Sequence, residues 1–208
     1  MSTSAPAPAE RAWVLSDEPL PVRLMSTIRA GTDGIHDDLS TTAALDEWLD
    51  AVGIDRAGAH ATEGDLAQAR ALRDAVRRLA GYVTRDTRAT ATMTDVAAAL
   101  DRVNSVAAEL PGPRLAVRDG QLELAADQGA SPVATGLAQV AELAVALLGG
   151  AEAVRLRACY APGCVLYFMK THPRREWCSV ACGNRVRAAR HYQRARGHSA
   201  PESQKDDA

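Results

Sequence analysis

Cys159, Cys164, Cys178 and Cys182 are the only cysteines of this 208-residue chain, and they fall within 24 residues. Their spacing, C-x4-C-x13-C-x3-C, gives two close pairs separated by a loop. Each pair sets two thiolates on a short piece of backbone, and the loop lets the pairs converge on one tetrahedral zinc ion. Four sulfur ligands leave no open coordination position for a substrate. The expected chemistry is therefore structural, one Zn²⁺ holding a small module together, and the chain reads as a binding protein and not an enzyme. His172, between the pairs, could replace one ligand, but four cysteines already fill the tetrahedron.

The cysteines sit in a strongly basic stretch. Residues 155–197 hold ten Arg or Lys and one acid, Glu176, while the rest of the chain is acidic; the formal net charge of −2 hides this split. A basic module on an acidic body points to a polyanionic partner for the module. Beyond Cys178 the residues favour a helix. At about 100° per residue, Arg187, Arg190 and Arg194 fall on one stripe facing away from the cysteine side. Arg forks on a rigid helix can bind phosphates and reach guanine edges in a major groove. Lys170, Arg174 and Arg175 on the preceding loop are expected to add phosphate contacts. Arg185 points back towards the metal and is a candidate to support a knuckle carbonyl or a sulfur ligand; Asn184 is a second.

The elements that must position these residues are mostly helical. Aromatic content of 4% requires a core of Ala, Leu and Val, which suits packed helices. Residues 20–30 read as a short apolar segment, strand or helix, and 31–38 as a polar loop. Thr41 or Thr42 caps a helix that runs to Val52 and stops at Gly53. Thr62 and Asp65 form a capping box for a second helix with Leu66, Ala69, Leu72, Val76, Leu79 and Val83 on its buried face; Arg70, Arg73, Arg77 and Arg78 are expected to be solvated. Thr94 is the expected cap of a third helix. Asp119-Gly120 between two alternating runs signals a hairpin, and Ser131-Pro132 opens a long apolar helix ended by Gly149-Gly150. Short strands around Arg155–Ala158 and Val165–Met169, followed by a helix carrying Cys178 and Cys182 one turn apart, complete a treble-clef-like finger. The expected fold is mainly α with a small β-hairpin, divided into a flexible segment 1–19, a helical domain 20–152, a zinc finger 153–197 and a disordered tail 198–208.

Cys182-Gly183-Asn184-Arg185, after WCSVA and RLRAC, closely resembles the CGNR zinc finger. The upstream LSTTAALDEWLDAVGI, ALRDAVRRLA and SPVATGLAQVAELAVALL segments resemble the helical ABATE domain that precedes such fingers. The resemblance implies a stress-induced transcription regulator that binds DNA through the finger. The first segment departs from the family pattern, with Arg23 and Ser26 where an LDFVNT-like run carries Asp and Asn.

Two readings follow from the residues and the resemblance. One is a DNA-binding regulator whose helical domain senses a small effector or forms a homodimer. The other is an adaptor whose zinc module docks a protein. The first ten residues hold no Lys or Arg and no apolar core, so no signal peptide is expected, and no apolar run approaches the ~20 residues that span a bilayer; a cytoplasmic protein is expected, nucleoid-associated if it binds DNA, with the thiols kept reduced. His36, Asp37 and Asp38 are expected to be a polar loop and not a metal site. No glycine-rich phosphate loop, nucleophile elbow or HExxH motif is present.

Overall fold

The computed structural model describes residues 17–88, 93–112, 114–125 and 131–198. Most of the expected N-terminal segment, including Trp13–Leu15, and the tail from residue 199 lie outside them. The mainly helical class holds. The ambiguous segment 20–30 divides into α1 (Leu20–Met25) and β1 (Ile28–Ala30). The stretch expected to be a polar loop contains β2 (Ile35–Asp37), antiparallel to β1 with Ile28 opposite Asp37. A two-stranded ribbon with an exposed face needs no apolar alternation, which is why its residues read as loop.

Local capping signals set the helix ends. In α2 (Thr42–Val52) the Thr41 side chain accepts from the Ala44 N–H, and Gly53 takes the left-handed conformation at φ 80° that closes the helix. α3 (Glu63–Thr84) starts with the reciprocal Thr62–Asp65 box. α4 (Val96–Ala108) starts one residue later than expected, because Asp95 and not Thr94 accepts from the Ala97 and Ala98 N–H groups. β3 (Arg114–Arg118) and β4 (Gln121–Ala125) pair across Asp119-Gly120, both at positive φ. α5 (Pro132–Gly149) is capped by Ser131. By length and composition alone α5 is apolar enough to cross a membrane, which the run-length reading passed over; here Val133, Leu137, Val140 and Ala144 are buried in the core against α1, α3 and α4.

Central placement of α3 overturns one expectation. Of its four arginines, Arg73 and Arg77 are only 3% and 4% exposed. Arg73 forks onto Asp37 of β2 at 2.5 and 3.0 Å. Arg77 donates to the carbonyls of Met25 (2.9 Å) and Val165 (3.1 Å). Arg70 reaches the carbonyls of Leu39 and Ser40, and Arg78 that of Thr94. Neighbours cover α3 on more than its apolar stripe, so its cationic face is packed as well.

A short 3-10 turn (Ala151–Arg155) leads into β5 (Leu156–Ala158), which pairs with β6 (Tyr167–Met169); α6 (Val180–His198) follows. Leu156, Ala158, Tyr167 and Met169 are buried in the same core as the helices. Phe168, on the opposite face, packs with the cysteines. The β5–β6 ribbon is therefore shared between the helical body and the finger.

Candidate metal centre and its basic helix

Gly163, at φ 72°, turns the chain back after Cys159, and the Cys164 N–H donates to the Ala161 carbonyl at 2.9 Å. The second pair is arranged otherwise than expected. Cys178 precedes α6, and only Cys182 lies on it. Between them Ser179 acts as the cap, its Oγ accepting from the Cys182 N–H at 3.2 Å and its carbonyl from Gly183. All four Sγ atoms lie within 4.8 Å of one another, each cysteine buried. Cys178 Sγ is 3.8 Å from that of Cys164 and 3.3 Å from that of Cys182. Zn–S bonds of about 2.3 Å at tetrahedral angles place sulfurs about 3.8 Å apart, so one structural zinc fits this cage. Thiol acidity agrees. Contacts from Cys164 and then Cys178 favour the thiolate of Cys159, and the same contacts push Cys164 up to about 11 and Cys178 higher still. Zinc is bound by thiolates, and its charge favours the deprotonated form of the sulfurs that hold it. Among the described residues these thiols form the one such ligand group. His36 bonds Asp33, Asp37 pairs with Arg73 and Asp38 with Arg29.

Arg185 Nη2 lies 2.9 Å from Cys182 Sγ, and that bond, with the charge on the sulfurs, holds the guanidinium firmly protonated. Asn184 is placed differently. Its side-chain oxygen accepts from Arg187 on the exposed side of α6, away from the sulfurs.

The cationic residues singled out above separate into three groups. Arg187, Arg190 and Arg194 are exposed on α6. Arg174 is exposed and shares with Arg187 the lining of one hollow beside the start of α6. Lys170 is half-buried in a groove between body and finger. Arg175 is corrected: it is not free for phosphate. It donates to Glu18 (2.6 Å), to the carbonyls of Met169 (3.0 Å) and Cys178 (3.1 Å), and lies over the Phe168 ring. Glu18, itself buried, also accepts from the Met169 N–H at 3.0 Å.

Sequence reasoning missed the groups that seat the finger. Arg88 donates through Nη1 to the carbonyls of Cys159 (2.9 Å) and Cys164 (3.0 Å), bracing both ends of the knuckle, and its other nitrogens grip Asp86. Its guanidinium lies 5.4 and 5.1 Å from the Tyr160 and Tyr167 ring centres. Burial alone would raise the Asp86 carboxyl; hydrogen bonds from Arg88 and Tyr167 and the Arg88 charge outweigh it and hold it at about 2. Arg77 reaches Val165 from the other side. No periodicity marks Asp86 or Arg88, which follow a helix end and find partners more than seventy residues away.

Comparison with known families agrees with this geometry. Residues 18–151 match the family model ABATE, described as "Putative stress-induced transcription regulator", and residues 155–195 match the CGNR zinc finger. No curated protein matches the chain. With nearly two thirds of its length inside the first model and the four-thiol cage inside the second, the chain belongs to the ABATE family and carries a CGNR zinc finger at its C-terminal end.

Proposed function

We propose that the protein is a cytoplasmic, non-catalytic regulator that grips duplex DNA with α6. The observation that carries this reading is the contrast along that helix. Its first turns are anchored by Cys182 and Val186, both buried, whereas residues 190–195 are all exposed. The helix contains no acid, so its arginines have no i,i+4 carboxylate partners, and Arg187–Arg190 and Arg190–Arg194 repel at helical spacing. A phosphate backbone removes that repulsion. The family description of a transcription regulator is in keeping with it.

The test is binding of labelled duplex DNA to the zinc-loaded protein across a salt series. Affinity is expected to fall steeply with salt, and Arg187→Ala, Arg190→Ala and Arg194→Ala each to lower the log–log slope by about 1. Failure of the zinc-loaded protein to bind any duplex at low salt would refute the proposal.

One observation favours the adaptor reading: the finger already docks on a protein surface, its own body, through Arg175–Glu18, Arg77–Val165 and the Arg88 contacts. The α6 arginines make none of those contacts. If the module only docks protein, Arg187→Ala and Arg190→Ala leave every nucleic-acid affinity unchanged.

A further inference from the structure

The junction between body and finger contains an open groove of about 620 Å³, a size that accommodates a small organic molecule. Three pieces of chain build it: the end of α3 (Val83, Arg85), the turn after α5 (Val154) and the finger (Tyr160, Lys170, Trp177). Much of its surface is apolar, and it includes two side chains left open to water, Val154 (74% exposed) and Tyr160 (52% exposed). Cations on its wall outnumber the single acid, Glu176. Arg175 and Arg157 are occupied, the latter by the carbonyls of Val154 and Leu156. The side chains of Arg85 and Lys170 have no hydrogen-bond or ion-pair partner among the described residues.

Arg85 adds a second, independent observation. It closes α3 in the left-handed conformation at φ 53°, a position where glycine carries no steric penalty and arginine does. The conformation serves helix termination, and the arginine that occupies it also lines the groove.

We propose that this groove binds a small amphipathic anion: a flat apolar body lying against Tyr160, Val154 and Trp177, with one carboxylate or sulfonate-type group held between Arg85 and Lys170. Charge complementarity selects the anion, and the concave apolar lining selects a small molecule over a nucleic-acid backbone, whose phosphates gain nothing from Val83 or Val154. Because body and finger both line the groove, such a ligand bridges them and favours the docked arrangement. The inference does not depend on DNA binding by α6.

Anilinonaphthalene sulfonate is a suitable probe, titrated into the zinc-loaded full-length protein by fluorescence and calorimetry, with uncharged phenylnaphthylamine as its counterpart. One saturable site is expected. Arg85→Gly and Lys170→Gln should each weaken the sulfonate about tenfold and leave the uncharged analogue unchanged. Arg85→Gly is the decisive variant, because it relieves backbone strain and should unfold no more easily than the parent. Leu100→Glu, in the neighbouring apolar hollow between α3, α4 and α5, which meets the groove only at Val83, should leave sulfonate affinity as it was. Sulfonate affinity unaltered in both cation variants overturns the proposal, as does its loss in Leu100→Glu. Reduced DNA affinity in Arg85→Gly or Lys170→Gln with unchanged sulfonate affinity also overturns it and assigns those cations to a nucleic-acid surface.

Discussion

A buried guanidinium must place its donors on whatever acceptors surround it, and the two carbonyls that Arg77 satisfies belong to opposite parts of the chain, Met25 and Val165. Burial lowers its proton affinity, but a guanidinium stays charged at any ordinary pH. Removing it strands both carbonyls and opens a cavity. Arg77→Ala is expected to cost about 3 kcal/mol in denaturant unfolding, against less than about 1 kcal/mol for Arg78→Ala, whose bond to Thr94 is exposed. Equal costs would show that Arg77 is not the tie between body and finger. Tyr167 makes a similar tie. Its hydroxyl donates to Asp86 at 2.8 Å; burial, followed by that bond and the Asp86 charge, pushes its pKa up to about 12. The folded value lies above the unfolded value of about 10, so the neutral phenol's contribution is complete below pH about 10 and is lost as pH rises towards 12. A late phase is therefore expected in a phenolate absorbance titration. Tyr167→Phe should abolish that late phase; its persistence would place the perturbed phenol elsewhere. Neither residue was legible beforehand: Arg77 looked like part of a solvated stripe, and a phenol's partner eighty-one residues away has no local signature.

At the scale of elements, caps were the most legible feature, because a cap is made within four residues. Thr41, the Thr62–Asp65 box, Ser131-Pro132 and Asp119-Gly120 all stand where the residue types place them. Short ribbons with exposed faces and the start of α6 were not legible, since pairing and metal geometry set them instead of local preference. Helix packing adds a constraint that propensity contradicts. In α5, a Cβ at Gly136 would come within 2.4 Å of Ile54 Cγ2, so this glycine allows close approach of α5 to the segment after α2. Alanine favours a helix over glycine by about 1 kcal/mol, yet Gly136→Ala is expected to destabilise by about 2 kcal/mol because overpacking wins. Combining it with Ile54→Ala should cost clearly less than the sum of the two single changes. Additive costs in that cycle would mean that the two groups do not compete for one space.

For the whole molecule, the shared ribbon makes metal and body interdependent. One face of β5–β6 lies in the helical core and the other under the thiol cage, so chelation should damage more than the finger. Structural zinc contributes about 10–16 kcal/mol of apparent folding energy in isolated finger peptides. Removing it here is expected to lower the thermal midpoint of the helical signal as well, with the zinc-loaded protein unfolding in one transition; a helical transition untouched by chelator would separate the two parts. The amino-acid sequence alone determined the ligand set, the family and the positions of most helices. Each of these is written in residue types a few positions apart: thiol pairs, caps, apolar periodicity. Only the tertiary structure decided which arginines face water, which residues seat the finger on the body, and that a groove opens between them. Those outcomes depend on which distant carbonyls, rings and carboxylates come together once the chain is folded, and a charged side chain carries the same letter whether it meets solvent or a buried acceptor.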